Sequence, residues 1–348
     1  MRVVGKTDLD DFSKALLRAV GVPSKTASQV VDALIAADCE GVASHGLALL
    51  PMYLDRIKAG SVNPRASGRV VSKNRGAIVI DAQNCLGQIS SHRAVGMAID
   101  GCSVHAISAV AVRNGFHIGA LGYWARMIAQ ANCVGIVMCN TRPLLPPPDG
   151  TKAVVGNNPI AIALPAVSED LVLDIALSAG AMGKVRLAAS EGKPIPEGWA
   201  TNSKGRPTTN PHEAISGMLL PAGGPKGFGL AFMIDLIAGG LSTGAVGRQV
   251  AALYGDSSVP YRSSHFFMAI KIASFTNIDF FKKVAADLAE QVRSTESASD
   301  NAVRLFGDRS RESRRQYTDT VPLSAVTISS LSKAASALGI ASPPNLTP

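Results

Sequence analysis

The feature that most constrains the fold is a strand–helix–strand succession in the middle of the chain. "AISAVAVRN" (106–114) and "CVGIVMCNT" (133–141) are apolar runs of strand length, and "IGALGYWARMIAQAN" (118–132) between them has helical spacing. Parallel strands need a long connection, usually a helix. The succession therefore predicts a parallel crossover within an α/β sheet that is covered on both faces.

Other segments extend this pattern. Short runs rich in β-branched residues predict strands at 69–74, 76–82, 159–165, 171–177 and 264–275. Apolar spacing of three and four predicts helices at 6–21, 23–43, 46–60, 226–245, 278–294 and 323–339. The helix at 226–245 is almost entirely apolar, which is typical of a central, buried helix. A polar stretch at 294–320 separates the last two helices.

Composition narrows the class of protein. The chain has 348 residues, a net charge of +8 and only 5% aromatic residues, and its basic residues are dispersed apart from a cluster at 304–316. With so few aromatic side chains to stack on bases, we expect no nucleic-acid partner. The apolar stretches are interrupted, for example by Asp235, and the N-terminus lacks a signal-peptide pattern, so we expect no membrane association. The 5 cysteines include no CxxC pair, which predicts reduced thiols and a cytoplasmic protein.

Familiar ligand motifs are missing from the sequence. There is no GxGxxG after a strand and no P-loop, although "GGPKGFG" (223–229) places Lys226 at a predicted helix start. That lysine either binds an anion beside free N–H groups or is solvated in a glycine-rich turn. The 6 histidines form no HxxxH or HxH pattern, so we expect no metal.

The loop around His117 is the strongest local candidate for chemistry. It joins a buried strand to a helix, the place where ligands gather in open α/β sheets. We expect Gly115, Gly119 and Gly122 to keep it thin, so that a ligand can approach the backbone. His117 is either a proton-transfer group or a structural cap.

Two further segments stand out. In "GVASHGLALLPMY" (41–53), Ser44 and His45 stand side by side in an apolar run, as a buried hydrogen-bonded pair or as part of a reaction site. The loop 140–159 contains five prolines, and long irregular loops at the end of a sheet are often functional. A proline-stiffened connection is the other explanation.

Several long stretches together carry a family resemblance. They are "SHGLALLPMY", "FHIGALGYWARMIA", "VVGNNPIAIALP", "LDIALSAGAMGK", "GKPIPEGWATNSKGRPTT" and "LLPAGGPKGFGLAFMIDLIAG". The chain resembles the malate/L-lactate dehydrogenase family, which is distinct from the Rossmann-fold enzymes of those names. That family includes ureidoglycolate, sulfolactate and 2,3-diketogulonate enzymes and reductases of cyclic imino acids.

The resemblance implies an architecture and a reaction. It implies an α/β fold with a family-specific, non-Rossmann NAD(P)-binding sheet domain and a helical domain built from the N- and C-terminal segments. We place the helical, dimerisation domain at 1–73 and 278–348, and the cofactor- and substrate-binding region at 74–277. The implied enzyme is a homodimer that uses NADH or NADPH to transfer a hydride to or from a small 2-oxo or 2-hydroxy acid.

Two alternatives stay open beside this reaction. One is reduction of Δ1-pyrroline- or Δ1-piperidine-2-carboxylate, in which a C=N bond replaces the C=O bond. The other is a catalytically silent homologue that binds a dinucleotide without turning over a substrate.

The resemblance also assigns roles by position. His117 is similar to the family's proton donor or acceptor, while Ser44 and His45 match the pair that has the proton-donor role in the imino-acid reductases. The implied cofactor contacts are Gly119, Ala120, Thr141, Asp174, Ile175, Ala176, Lys226, Gly307 and Asp308. The implied contacts to a small carboxylate substrate are Tyr53, Arg142 and Asn157, the last of which stands where relatives usually have threonine.

Leu49 departs from the family pattern. Many relatives have an arginine there, which is suited to grip a carboxylate in a bidentate fork. Three explanations are open: another cation such as Arg142 holds the substrate carboxylate, the substrate differs from that of the relatives, or activity is lost. "PPPDG" and "FGDR" are further departures. A basic cluster of Arg304, Arg309 and Arg311 either pairs with a 2′-phosphate, which would favour NADPH, or is exposed surface.

Overall fold

A computed structural model describes residues 2–346 and shows a mixed α/β fold. Its helices are α1 (Lys6–Ala19), α2 (Ser24–Cys39), α3 (Leu50–Lys58), α4 (Gly87–His105), α5 (Leu121–Gln130), α6 (Met182–Glu191), α7 (Pro211–Ser216), α8 (Pro225–Asp235), α9 (Ile278–Arg293), α10 (Asp308–Gln316) and α11 (Ala325–Ser336). Its strands are β1 (Arg2–Gly5), β2 (Arg69–Asn74), β3 (Ala77–Asp81), β4 (Ile107–Gly115), β5 (Cys133–Cys139), β6 (Ile160–Leu164), β7 (Leu171–Ile175), β8 (Ala200–Thr201), β9 (Pro207–Thr208), β10 (Met218–Leu219), β11 (Ser263–Lys271) and β12 (Thr320–Leu323).

The central sheet has seven strands in the order β2-β3-β4-β11-β5-β6-β7. β3 and β4 pair in parallel, and every other neighbouring pair in this sheet is antiparallel. β4 and β5 do run in the same direction, as the crossover pattern predicts. They are not neighbours, however, because β11 lies between them and pairs with both.

Helices cover both faces of this sheet. α4 packs on β4 and β11, and α5 packs on β5 and β6, so that the two helices bury one face. A turn of π-helix, Leu236–Gly240, contacts the other face, where Ala111, Ala238 and Phe266 form a small core. The largest core cluster lies on the α4 and α5 side and contains fully buried Trp124.

The terminal segments meet beside the sheet. β1 pairs with β12 in antiparallel register, and α11 packs against α3. Asparagine and serine caps begin the late helices, because Asn277 Oδ1 accepts the N–H groups of Asp279 and Phe280 and Ser324 Oγ accepts that of Thr327. The division at 1–73, 74–277 and 278–348 stays a prediction, and its first boundary falls inside β2.

The helix predicted at 226–245 differs from the expectation. Only Pro225–Asp235 (α8) form a regular α-helix, and the π-helix Leu236–Gly240 follows it directly. The expectation of a buried, central helix is wrong for the single chain, because Leu230, Phe232 and Met233 are 44%, 47% and 53% exposed. Four helices lie outside the predicted set: α4, α6, α7, and α10 within the polar stretch 294–320.

Two other sequence expectations concern membranes and thiols. None of the helices within residues 2–346 has the length and apolarity needed to span a bilayer. All five cysteines are buried and have free thiols, although Cys102 Sγ and Cys133 Sγ lie 3.4 Å apart. The cytoplasmic location stays a prediction.

Candidate active site

The candidate site is a cavity of about 560 Å³ at one edge of the central sheet. The carboxyl ends of β4 and β5 meet the amino end of β11 there, because β11 runs opposite to both neighbours. Segments from distant parts of the sequence complete the walls, including residues 42–49, 170–176 and 306–311. The volume is typical of a site for a cofactor and a small molecule.

His117 lies in the loop between β4 and α5 and lines the cavity. Its Nδ1 accepts the N–H of Gly119 at 3.2 Å and lies 2.9 Å from the Tyr53 hydroxyl. Gln88 Nε2 donates to the same hydroxyl at 3.1 Å. Tyr53 and Gln88 are fully buried, so they fix the imidazole from behind the cavity wall.

These contacts determine how His117 is protonated. A backbone N–H can only donate, so Nδ1 of His117 is the acceptor and the neutral ring carries its proton on Nε2. Burial, together with the neighbouring His45 and His265, lowers the pKa of His117 to about 3. His117 is therefore neutral at physiological pH and offers the cavity an Nε2–H donor.

Ser44 and His45 also line the cavity, in the short helical turn after α2. Ser44 Oγ lies 3.0 Å from His45 Nδ1, and the His45 ring stacks on His117 with centroids 5.5 Å apart. The turn rests on buried Asp38, which accepts the Leu47 N–H at 2.7 Å. A Cβ at Gly46 would lie 2.2 Å from Asp38 Oδ1, so only glycine allows this close approach.

Most residues that the resemblance assigns to the cofactor line this cavity. They are Gly119, Ala120, Thr141, Asp174, Ile175, Ala176, Gly307 and Asp308. Asp174 Oδ2 accepts the Gly122 N–H at 2.7 Å, which ties β7 to the start of α5. The proposed substrate residues Arg142 and Asn157 line the cavity too, and Thr141 Oγ1 donates to Asn157 Oδ1 at 3.0 Å.

Two of the assigned residues lie elsewhere. Lys226 is exposed at the start of α8 and does not line the cavity of its own chain. Tyr53 stands behind His117 rather than on the cavity surface, so its observed contact is with the histidine. Of the loop glycines, Gly119 and Gly122 line the cavity, whereas Gly115 leaves room for the His265 side chain instead of a ligand.

An ion-pair network surrounds the Gly307–Asp308 turn. Arg293 donates twice to Asp308, and Arg311 pairs with both Asp308 and Glu169. Within the basic cluster, Arg304 pairs with Glu312. Arg304 and Arg311 thus each have a carboxylate partner, whereas Arg309 has none among residues 2–346. The Asp308 carboxylate contacts Arg293 and Arg311 and accepts the Leu305 N–H.

The cavity wall carries groups that could hold the phosphates of a dinucleotide. Arg142 and Arg186 line it, and neither forms an ion pair with any residue in 2–346. The first turn of α6 faces the same space without a side-chain cap, so its N–H groups are available to an anion. No cluster of three metal-binding side chains occurs in the described part of the chain.

Leu49 forms part of an apolar section of the wall. It is 3% exposed and lines the cavity with Leu253, Tyr254 and Tyr261. Arg56 holds the loop that carries these residues, because its buried guanidinium donates to the carbonyls of Ala252, Leu253 and Val259. A leucine here gives a substrate an apolar surface where an arginine would give it a charge.

Sequence analysis missed several residues of this site. Arg186, Tyr254 and Tyr261 come from segments without a recognisable motif. His265 lies within an apolar strand, and a single histidine in such a strand is the one signal that points to it. Its place at the cavity depends on β11 inserting between β4 and β5.

Comparison with known proteins decides the family. The model of the family "Malate/L-lactate dehydrogenase" matches residues 4–332. The chain belongs to the malate/L-lactate dehydrogenase family. It is accordingly an enzyme of the NAD(P)-dependent dehydrogenase type, as the sequence motifs predict.

Relatives in this family are similar over most of their length. Malate dehydrogenase of Pyrococcus abyssi is 35% identical over 305 residues, covering 85% of this chain and 83% of that protein. The (2R)-3-sulfolactate dehydrogenase (NADP(+)) of Chromohalobacter salexigens is 33% identical over 334 residues, covering 95% and 97%. Ureidoglycolate dehydrogenase (NAD(+)) of Escherichia coli is 31% identical over 281 residues, covering 80% of each.

Solved structures of family members share the fold. Sulfolactate dehydrogenase of Methanocaldococcus jannaschii superposes with a TM-score of 0.92 at 29% identity, covering 97% of this chain and 98% of that one. Delta1-piperideine-2-carboxylate reductase of Pseudomonas syringae superposes with a TM-score of 0.87 at 26% identity, covering 96% and 100%. The names of these two proteins thus indicate that the family fold occurs in enzymes of C=O and of C=N substrates.

Proposed function

We propose that this enzyme reduces a small 2-oxo acid to the 2-hydroxy acid, and catalyses the reverse reaction, with its reaction centre at His117. The observation that carries this proposal is the fixed Nε2–H of His117 in a cavity lined by two unpaired arginines. A bound nicotinamide cofactor supplies the hydride. The protein must position the substrate, stabilise charge on its oxygen and move one proton.

His117 stabilises the charge. As the hydride reaches the carbonyl carbon, negative charge develops on the oxygen, and a preorganised donor there lowers the barrier. Nε2–H of His117 is that donor. Protonation at Nδ1 would set two donors against each other, because the Gly119 N–H points at the same atom. His117 therefore acts as a neutral donor rather than as an imidazolium acid.

The Ser44–His45 pair moves the proton. His45 stacks on His117 and its Nδ1 lies within hydrogen-bond distance of the Ser44 hydroxyl, which is exposed. A proton can pass between the substrate oxygen and solvent through these two side chains. In the oxidation direction the same pair removes the proton from the hydroxyl group.

Arg142 holds the substrate carboxylate. It follows Thr141 at the cavity edge, is free of ion pairs within residues 2–346, and lies close enough to Tyr261 to influence its ionisation. Leu49 and Leu253 face the rest of the substrate. This arrangement favours a monocarboxylate with a small apolar side chain over a dicarboxylate.

Residues of β7, the start of α5 and the Gly307–Asp308 turn would hold the cofactor. Arg186 and the first turn of α6 would hold phosphate groups. Because Arg304 and Arg311 are already paired with carboxylates, we propose NADH as the preferred cofactor. Relatives named for NAD(+) and for NADP(+) both exist in this family.

Reduction of a cyclic imino acid is the second candidate. The Ser44–His45 pair, whose serine is exposed, and the apolar surface at Leu49 favour it, since a cyclic imine needs a proton and an apolar contact surface. An imine is protonated more readily than a ketone. A maximal rate of reduction at acidic pH would therefore distinguish this substrate from a 2-oxo acid.

Absorbance at 340 nm tests the proposal. NADH and NADPH are each combined with pyruvate, oxaloacetate, longer 2-oxo acids and the two cyclic imino acids. We expect the highest kcat/KM with NADH and an apolar 2-oxo acid. His117→Gln is expected to lower kcat without changing the shape of the pH–rate profile, whereas His45→Gln removes a limb of it. Cofactor binding without turnover of any substrate would show that the homologue is silent.

We also propose that the enzyme is a homodimer in which α8 of each subunit packs against the partner subunit. The exposed apolar side chains of this region are Leu230, Phe232, Met233, Leu236 and Leu241. Such a contiguous apolar surface is typical of an interface. Lys226, at the start of the same helix, would then lie near the partner rather than in its own cavity.

A further inference from the structure

The Tyr261 hydroxyl is a polar group on the cavity wall that has no partner in the protein. Tyr261 is 5% exposed and lines the cavity. Its hydroxyl forms no hydrogen bond within residues 2–346, yet it is not one of the unpaired polar atoms that the protein encloses completely. Buried polar groups are normally paired. An unpaired hydroxyl that opens onto a cavity therefore points to a ligand.

The surrounding structure holds the tyrosine ring in place. The ring packs edge-on against Phe116, the residue before His117, with ring centroids 6.2 Å apart. The loop before Tyr261 is fixed by the buried Arg56 guanidinium, which donates to the Val259 carbonyl at 2.8 Å. The hydroxyl is thus carried by a ring that has little freedom to move, beside the proposed reaction centre.

A strained turn follows the tyrosine directly. Arg262 has a φ of +58°, in the left-handed region that residues other than glycine seldom adopt. Such conformations cost free energy and cluster at functional sites. Arg262 connects Tyr261 to β11, which begins at Ser263. This turn therefore sets how the loop leaves the sheet and where it places the tyrosine.

The charges around Tyr261 suit an anionic group. The charged side chains close enough to influence its ionisation are Arg142 and Arg56, both of them cations. Arg56 is engaged by backbone carbonyls, whereas Arg142 forms no ion pair within residues 2–346. Burial raises the pKa of Tyr261, so the hydroxyl keeps its proton at physiological pH and can donate a hydrogen bond.

Other polar groups at this end of the cavity are engaged or enclosed. Ser263 Oγ donates to the Asn140 carbonyl at 2.7 Å. Both ring nitrogens of His265 are covered by protein, so a substrate atom cannot reach them. The Tyr261 hydroxyl therefore remains available to a bound molecule where its neighbours do not.

We propose that Tyr261 binds the substrate directly, by donating one hydrogen bond to the carboxylate of the 2-oxo or 2-hydroxy acid that Arg142 holds. The inference rests on the proposed function. It explains how the chain recognises a carboxylate although Leu49 offers it no charge. A hydroxyl and a guanidinium from two different loops would together bind this group. Tyr261 orients the substrate in this role and transfers no proton.

Tyr261→Phe tests the proposal, because it removes the hydroxyl and keeps the ring. The matched control is Tyr123→Phe, since the Tyr123 hydroxyl also forms no hydrogen bond within residues 2–346 and lies outside the cavity. The substrates are the 2-oxo acid with the highest kcat/KM and its methyl ester, which keeps the carbonyl groups and lacks the carboxylate charge. The measurements are kcat and KM for both substrates, the Kd of NADH by fluorescence, and the Kd of oxamate for the NADH complex.

We expect Tyr261→Phe to raise the KM of the acid and the oxamate Kd about tenfold or more, because a hydrogen bond to a charged group is a strong one. The ester should be affected less, so the preference for the acid over the ester should fall. The NADH Kd should stay within twofold, and the pH–rate profile should keep its shape. Tyr123→Phe should change none of these quantities. Thermal unfolding verifies that both variants are folded.

The outcomes separate this inference from the proposed function. An active wild-type enzyme whose Tyr261→Phe variant keeps its KM, its oxamate affinity and its preference for the acid would overturn the role of Tyr261 alone. Equal losses for acid and ester, or a parallel loss of NADH affinity, would show a structural role instead. A wild-type enzyme that binds NADH but neither reduces 2-oxo acids nor binds oxamate would overturn both proposals.

Discussion

The Tyr53 hydroxyl lies 2.9 Å from Nδ1 of His117, and this contact joins the helical N-terminal segment to the proposed reaction centre. Tyr53 is on α3 and His117 follows β4, so a single hydrogen bond links two parts of the chain that are distant in sequence. Gln88 on α4 orients the tyrosine in turn. The orientation of the His117 ring thus depends in part on two side chains that do not line the cavity.

Replacing Tyr53 with phenylalanine tests this dependence. The substitution removes one hydrogen bond to Nδ1 of His117, and we expect kcat to fall about fivefold, since one such bond is worth about 1 kcal/mol. Steady-state kinetics measure the change. Tyr123→Phe is the control, because Tyr123 packs on Trp124 and does not line the cavity. Equal kcat values in the two variants would contradict the role of Tyr53.

Substitution of Leu49 by arginine should change substrate preference. An arginine there adds a charge to an apolar wall, and a bidentate guanidinium–carboxylate pair favours a second carboxylate. We expect the ratio of kcat/KM for oxaloacetate to that for pyruvate to rise about tenfold. Leu49→Met keeps the volume and the apolar character, so its ratio should match that of the wild type. A ratio unchanged by the arginine would show that Leu49 does not face the substrate.

The stability of the fold should depend on His265 below neutral pH. Its pKa is lowered to about 3 in the folded protein, whereas the unfolded value is about 6.5. Between these values the unfolded chain binds more protons, so the free energy of unfolding falls as pH falls. From pH 7 to pH 5 this one histidine accounts for a loss of about 2 kcal/mol.

Urea unfolding of His265→Phe at both pH values measures this contribution. The variant should lose about 2 kcal/mol less than the wild type on acidification. His117 and His45 also have lowered pKa values, so a pH dependence remains in the variant. Identical losses in both proteins would mean that the His265 ring is already protonated or solvent-exposed in the folded state.

Gly115→Ala should destabilise the protein through His265. The added Cβ would lie 2.4 Å from the imidazole, so the ring or the strand must move, at a cost of about 1–3 kcal/mol. Gly96→Ala is the matched substitution on α4, where nothing lies within 4 Å of the added atom. Alanine there should stabilise the helix slightly. Thermal unfolding and the substrate KM of both variants provide the measurement.

The α8 surface predicts the oligomeric state. A charge at Phe232 should split the dimer, because an unpaired carboxylate in an apolar interface is costly. Sedimentation velocity on Phe232→Asp, with Val326→Asp on α11 as the control, measures this. Val326 is 75% exposed and lies on α11, outside the proposed interface, so its variant should sediment like the wild type. A wild-type monomer would contradict the proposed interface.

Local sequence patterns predicted the elements better than their arrangement. The strands and helices with strong periodicity formed as expected, including β4, α5 and β5. α4 lacks a clear apolar stripe, because it buries Gln88, Ser90 and Ser91 together with apolar residues. The insertion of β11 between β4 and β5 depends on pairing between residues more than a hundred positions apart, which no local pattern records.

The same distinction explains the site. His117, Ser44 and His45 stand in recognisable motifs, and the structure brings all three to one cavity. Asp174 and Gly122 were singled out separately, but their contact follows from the sheet topology. A β-bulge places His265 at the site. The apolar side chains of α8 are exposed in the single chain, and the surface proposed to cover them belongs to a second subunit.

The position of β11 has a consequence for how the protein is made. β4 and β5 leave the ribosome with their facing edges unpaired, and the strand that joins them, residues 263–271, is synthesised more than a hundred residues later. Such delayed pairing slows folding and exposes strand edges to aggregation. Until its last third emerges, the nascent chain therefore lacks the strand that joins β4 to β5 and that completes the candidate site. Protection by a chaperone during that interval would suit this order of synthesis.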